Sequence, residues 1–148
     1  KAHVELDAGA KIEANHPLVR IFRSFLLFYE DKVDEAIETL TDVLNKNKKM
    51  DGIRPILATF LASQGKKEEA LAQMSDETKA LAKSDHDMSY WLAQAYSVLN
   101  DRENAFKWLE RAIKMGNENK AWFLTDKCLE FIRKDPHFNE LMEKIEPK

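Results

Sequence analysis

The side chains capable of chemistry are scattered through this sequence and do not form a known catalytic or metal-binding spacing. Its four histidines are His3, His16, His86 and His137, and no His-x-x-x-His or Cys-x-x-Cys pair occurs. A zinc site is usually recognised by several such ligands at short spacing. We therefore expect solvent-exposed histidines and no bound metal.

The single cysteine and the paired carboxylates have structural explanations that need no catalysis. Cys128 lies on an apolar stripe with Leu124, Phe131 and Ile132, which predicts a buried thiol and not an activated nucleophile. The acidic pairs are Asp34-Glu35, Glu68-Glu69 and Asp85 with Asp87. Each stands at a predicted helix start, where carboxylates favour the helix dipole and cap free N–H groups. The four glycines are isolated, so no phosphate-binding loop is present, and we predict a protein without catalysis or cofactor.

The charge balance argues against nucleic acid or a membrane as the partner. The 148 residues include 23 Lys and Arg against 26 Asp and Glu, for a net charge of −3. Binding to phosphates or anionic lipid needs an excess of cations. The basic run at residues 46–49 falls at a predicted helix end, where cations are favoured by the dipole. No apolar run reaches the ~20 residues of a membrane span.

Length and cysteine content indicate one domain in a reducing compartment. At this length a single domain, residues 1–148, is the default. One cysteine rules out a disulfide framework, so we expect a cytoplasmic protein. The start is too acidic and mixed for a signal peptide. It also lacks an initiator Met, and Lys1 is expected to be a cut end of a longer chain.

Small residues recur with a regular period along the chain. Alanines at Ala2, Ala36, Ala70 and Ala105 are separated by 34, 34 and 35 residues, and a large apolar residue follows each of them four positions later. A small residue is needed where two helices cross closely, and the residue one turn away fills the space beside the crossing. Each unit is therefore predicted to be two antiparallel helices joined by a short turn.

The apolar periodicity predicts an all-α fold, because no segment alternates with period two over a useful length. Prolines at 17 and 136 suit the first turn of a helix. Gly65 and Gly116 follow apolar-periodic runs, where a left-handed residue ends a helix. The predicted helices span residues 3–14, 17–30, 33–47, 53–64, 67–83, 87–99, 102–115, 119–133 and 136–146.

Together these positions resemble the tetratricopeptide repeat. The residues that carry the resemblance are Leu92, Ala93, Tyr96, Ala105, Leu109 and Ala112 in the last unit, Leu57, Ala58, Leu61, Gly65 and Ala70 in the middle unit, and Ser24, Leu27, Ala36 and Leu40 in the first. Arg23 and Glu77 depart from the family's preferred Leu and Ala. The tail at residues 132–138, Ile-Arg-Lys-Asp-Pro-His-Phe, resembles the segment that closes such arrays in bacterial signalling proteins.

The resemblance implies a right-handed superhelical solenoid of antiparallel helix pairs with a C-terminal capping helix. It divides the chain into residues 1–15 as the second helix of a preceding repeat, repeats at 16–49, 50–84 and 85–118, and terminal helices with a cap at 119–148. It also implies a bacterial protein with an effector domain upstream.

The resemblance further implies a concave groove lined by the first helix of each unit. The corresponding positions are Ile21, Phe25, Gly52, Pro55, Thr59, Asp87, Tyr90 and Gln94. None of them is basic, so the clamp by which some family members hold a C-terminal carboxylate is not expected. The hypothesis for partner binding names Ile21, Phe25, Phe28, Tyr29, Thr59, Tyr90 and Gln94.

The helix at 17–30 leaves almost no polar face, and two explanations stay open. It is either buried against residues 1–14, a neighbouring repeat or a second copy, or it lines a groove for an amphipathic helix. The first is favoured, since aromatic stripes at helical spacing are usually core.

We predict a protein–protein interaction scaffold or regulatory arm whose partner is an unidentified protein or peptide. Two alternatives belong to other classes. One is a domain that senses a small apolar ligand enclosed by the Phe-rich helix of a bacterial signalling protein. The other is a self-assembly module that associates through exposed solenoid ends.

Overall fold

The computed structural model describes residues 16–145. The helix expected at 3–14 and the partial repeat expected at 1–15 lie outside these residues. Every regular element of the described part is helical, so the all-α prediction is confirmed there.

The helices follow one another through short turns. They are α1 (Pro17–Tyr29), α2 (Val33–Lys46), a 3₁₀ turn (Asp51–Ile53), α3 (Arg54–Ser63), α4 (Lys67–Gln73), α5 (Asp76–Ala82), α6 (His86–Val98), α7 (Arg102–Lys114), α8 (Lys120–Thr125), a second 3₁₀ turn (Lys127–Leu129), α9 (Glu130–Arg133) and α10 (Pro136–Glu143).

The described residues fall into two compact units, which divide between Asp51 and Gly52. In the described part of the first unit, α1 packs against α2. In the second unit, α3 packs against α4 and α6, and α6 packs against α7. The finer division into repeats at 16–49, 50–84 and 85–118 stays a prediction.

The small residues that set the period are all fully buried in the described part. Ala36, Ala70 and Ala105 have no exposed surface, and neither do the small residues on the preceding helices, which are Ser24, Ala58 and Ala93. Burial without a large side chain is what a close helix crossing requires. Full burial of these positions agrees with the predicted crossings, and the close crossing itself stays a prediction.

Four helices end in the same hydrogen-bonded motif with a left-handed residue. Gly65 and Gly116 have φ angles of 78° and 108°, as predicted, and Asp31 and Asn100 take the same role at 64° and 61°. In each case the next residue's N–H donates to a carbonyl five positions back, as from Lys66 to Leu61 at 3.0 Å. This pairing satisfies carbonyls that a helix end would otherwise leave without partners.

Two predicted helices are broken, and both breaks occur at a residue that caps a new helix. The helix expected at 67–83 stops before Ser75, whose side chain accepts a hydrogen bond from the Thr78 N–H at 3.2 Å and starts α5. The helix expected at 119–133 is interrupted at Asp126, whose carboxylate accepts from the Cys128 N–H at 3.0 Å. Apolar periodicity continues across both breaks, and this continuity made each pair of segments look like one helix.

Candidate functional site

Helix α1 has one buried face and one exposed face, and both are largely apolar. Ile21, Ser24 and Phe28 are buried. Leu18 and Phe22 lie one turn apart and expose 64% and 56% of their surface. Single exposed apolar side chains are common on proteins, and these two large ones lie close enough on the helix to form one apolar patch.

The exposed pair belongs to a longer apolar stripe. At about 100° per residue, five side chains fall within an arc of roughly 100°, and we call them the α1 stripe. They are Leu18, Phe22, Phe25, Leu26 and Tyr29. The last three are half-buried. With about 1.5 Å of rise per residue, the α1 stripe is roughly 16 Å long, enough for about three turns of a second helix.

The opposite flank of α1 is charged and forms ion pairs with α2. An open cleft of about 530 Å³ is lined there by Arg20, Arg23, Leu27, Glu35, Glu38, Thr39 and Asp42. The Arg20 guanidinium donates to the Asp42 carboxylate, and the Lys46 ammonium lies 3.1 Å from the same group. Hydrogen bonds from Arg20 first and then Lys46 hold the pKa of Asp42 below its usual value. Because Asp42 is paired within this unit, the apolar side of α1 is the better candidate for a partner.

The predicted binding residues of α1 divide between the two faces. Ile21 and Phe28 are core residues, whereas Phe25 and Tyr29 lie on the α1 stripe. Part of the Phe-rich helix is thus buried in the described unit, and the choice between a groove for a partner and further burial stays a prediction for the rest. Leu18, Phe22 and Leu26 were not named as binding residues, although their spacing of four residues along the helix was a usable signal.

The predicted binding residues of the second unit are buried and hydrogen-bonded inside it. The Thr59 hydroxyl lies 3.1 Å from the Pro55 carbonyl oxygen, to which it donates. The Tyr90 hydroxyl and the Gln94 amide donate to one Asp126 carboxylate oxygen at 2.5 and 2.6 Å. Partner binding by Thr59, Tyr90 and Gln94 stays a prediction.

Asp126 is the centre of this buried arrangement, and it was not identified from the sequence. Its side chain has no exposed surface. Arg133 donates to the Asp126 backbone carbonyl at 2.6 Å and to that of Phe123 at 3.1 Å, and the Phe123 ring stacks on Tyr90 at 5.2 Å. We call Tyr90, Gln94 and Asp126 the Asp126 network. An aspartate between two apolar segments is a helix-cap signal that could have located it.

The stripe expected around Cys128 is only partly buried. Cys128 and Ile132 are buried, which confirms the buried thiol, but Leu124 and Phe131 are exposed. These four residues do not lie on one helix as the stripe implied, because the helix is interrupted at Asp126.

The described residues were searched for groups of metal ligands and for helices that could span a membrane. Across residues 16–145, no group of three or more His, Cys, Asp and Glu side chains is arranged to hold a metal ion. None of the helices found there is long and apolar enough to cross a membrane.

Comparison with known proteins gives one family. No curated protein and no solved structure matches the chain. The family model of the ChAPs, described as Chs5p-Arf1p-binding proteins, matches residues 6–124.

This match overturns the identification of the chain as a tetratricopeptide repeat protein, and that identification was wrong. A period of about 34 residues is the length of two helices of about 13 residues with their turns, and any such pair needs small residues where the helices cross. The pattern is therefore typical of paired helices in general. The bacterial origin rested on the same resemblance and gains no support.

The matched segment includes α1 to α7 and most of α8. It therefore contains the whole α1 stripe and two members of the Asp126 network, Tyr90 and Gln94. Because the match extends over most of the sequence, the chain belongs to the ChAPs family of Chs5p-Arf1p-binding proteins.

Proposed function

We propose that this chain is a protein-binding module and that a partner docks on the α1 stripe. The observation that carries the proposal is the exposure of Leu18 and Phe22, at 64% and 56%, on a helix whose other face is already buried. Neither side chain is needed to fill the core, so their apolar surface is available for association.

The physical gain from covering the stripe is large enough to matter. Full burial of a Leu or Phe side chain contributes about 1.5–3 kcal/mol. Aromatic anchors near the centre of an interface usually carry much of its affinity. A partner helix with apolar residues at positions i, i+3, i+4 and i+7 would fit the length and chemistry of the α1 stripe.

The family description suggests the partner. Chs5p and Arf1p are the two proteins that the description names. The proposal is that a counterpart of one of them binds this chain and presents an apolar helix face to the α1 stripe. Catalysis has no part in this role, and the single cysteine of the chain supports a reducing, cytoplasmic location.

The proposal also includes a right-handed superhelical arrangement of helix pairs closed by α10. Support comes from the second unit, where α3 contacts both α4 and α6, and α6 contacts α7. Phe138, Leu141 and Met142 bury the apolar face of α10, as a terminal cap requires. Solution scattering from the intact chain would test this arrangement through its length and curvature.

The test of binding compares two matched double variants. Leu18→Ser with Phe22→Ser removes the exposed part of the α1 stripe. Leu71→Ser with Leu81→Ser removes two side chains of the second unit that are 42% and 49% exposed. Affinities for the purified Chs5p and Arf1p counterparts are measured by calorimetry, and circular dichroism checks that each variant keeps its helix content.

We expect the α1 variant to bind roughly ten- to a hundredfold more weakly and the control to stay within about twofold of the unaltered chain. Equal affinity of both variants would show that the α1 stripe is not the binding site. Failure of the unaltered chain to bind either protein would instead show that the proposed partners are wrong.

A further inference from the structure

One face of α7 meets the start of α10 through a row of polar and aromatic contacts. Arg102, Phe106 and Glu110 are spaced four residues apart and therefore lie along one side of α7. Arg102 donates to the Asp135 carboxylate, with Nη2 at 3.1 Å from Oδ1, and its guanidinium lies 5.0 Å from the centre of the Phe106 ring. The Phe106 ring makes an edge contact with the His137 ring at 4.7 Å.

Both ring nitrogens of His137 face carboxylates. Nε2 lies 2.7 Å from a Glu110 oxygen on α7, and Nδ1 lies 3.2 Å from a Glu140 oxygen one turn along α10. A neutral imidazole has one N–H and can donate to only one of them, whereas the imidazolium ion donates to both. The geometry therefore suits the protonated ring.

The electrostatic surroundings of His137 agree with that geometry. Its hydrogen bond to Glu110 and, second, that to Glu140 raise its pKa above the ordinary 6.5, and partial burial opposes them. Asp135 and Arg102 are the nearest other charged groups in the row. Asp135 accepts from Arg102, and this hydrogen bond is the main reason that its pKa is lowered.

Helix α9, which packs beside α10, brings three more charged groups near this end of the chain. Glu130 and Lys134 are exposed. Arg133 is committed to backbone carbonyls at the end of α8. The described charges that contact the His137 ring directly are thus the carboxylates of Glu110 and Glu140.

Attachment of α10 to the rest of its unit matters because the helix covers apolar surface. Phe138, Leu141 and Met142 are buried beneath it. An eight-residue helix has little stability of its own. Its position therefore depends on that burial and on the contacts at its first turn.

We propose that His137, held between Glu110 and Glu140, makes the attachment of α10 to α7 pH-dependent, tight when the ring is protonated and looser when it is neutral. The sign follows from linkage. When the pKa of a histidine is raised in the attached state, protonation of the ring stabilises that state. This stabilisation is complete at pH values below the pKa of the histidine in the detached state, about 6.5. That contribution is lost as the pH rises through the higher value of the attached state.

The experiment is amide hydrogen exchange of the intact chain between about pH 6 and pH 8.5, corrected for intrinsic rates. We expect protection of the α10 amides to fall by about three- to tenfold as the pH rises. Amides of α2, in the other unit, provide the reference and should not change.

Three variants distinguish the effect of His137 on α10 attachment from a general pH effect. In His137→Gln the pH dependence of α10 protection should disappear. In His86→Gln it should persist, because His86 is an exposed histidine that pairs with Asp87 at 3.3 Å on α6. Glu110→Gln with Glu140→Gln keeps the ring but should also remove the dependence. A pH dependence that survives in either His137→Gln or the double variant, or one absent from the unaltered chain, overturns the proposal.

Discussion

Asp126 has no exposed surface, yet its carboxylate accepts hydrogen bonds from Tyr90 and Gln94 on α6. A buried carboxylate is costly unless its oxygens are bonded. The Asp126 network meets that requirement and also connects α6 to the turn between α8 and α9. At the residue scale, this network bonds side chains within the second unit, whereas Leu18 and Phe22 of the α1 stripe are exposed.

The Tyr90→Phe substitution should lower the free energy of unfolding by about 1–3 kcal/mol, because it removes a hydrogen bond to a buried carboxylate and leaves that group less satisfied. Tyr96→Phe is the control, since the Tyr96 hydroxyl forms no hydrogen bond within the described residues. The Tyr96 ring, which the substitution keeps, lies near the Lys79 ammonium. Urea denaturation measures both. An equal effect of the two substitutions would show that the hydrogen bond of the Tyr90 hydroxyl does not add to the free energy of unfolding.

The sequence could place Tyr90 and Gln94 on one side of α6, because residues four positions apart lie on the same side of an α-helix. It could not show that Asp126, 36 and 32 residues away, occupies that side. Long-range partners of polar side chains depend on the packing of several helices, which a local pattern does not determine. Polar residues expected to meet a partner therefore proved to be bonded within the chain.

At the scale of helices, local signals predicted much of the structure. The predicted helix starts at Pro17 and Pro136 and the predicted helix ends at Gly65 and Gly116 were correct. Asp31 and Asn100 also end helices with a left-handed backbone conformation. They are a weaker sequence signal than glycine, since aspartate and asparagine also occur in many turns. The breaks at Ser75 and Asp126 were missed because a single capping residue competes with an uninterrupted apolar pattern.

Ala93→Leu tests the close helix crossing within the second unit. Ala93 has no exposed surface on α6, and α6 packs against both α3 and α7. A larger side chain must push these helices apart, so we expect a loss of about 1–3 kcal/mol in the free energy of unfolding. Ala80→Leu, at an exposed position of α5, should change it by less than about 0.5 kcal/mol. Equal, small effects in urea denaturation would mean that the crossing is not tight.

At the scale of the whole molecule, the period of about 34 residues predicted paired helices correctly. It led to the wrong family, the tetratricopeptide repeat. Small residues at crossings and short turns are physical requirements of any helix pair, so they report architecture and not ancestry. The family match over residues 6–124 includes the surface positions of that segment, which the period of the small residues leaves out.

Among the described residues, Leu18 and Phe22 are the large apolar side chains with the highest exposed fractions, 64% and 56%. The central claim is that a partner protein covers the α1 stripe. Hydrogen exchange of the intact chain, alone and saturated with whichever of the Chs5p and Arf1p counterparts binds, tests this claim most directly. We predict slower exchange in α1, centred on residues 18–29, with little change in α4 and α5. Slower exchange confined to other helices, with α1 unchanged, would contradict it.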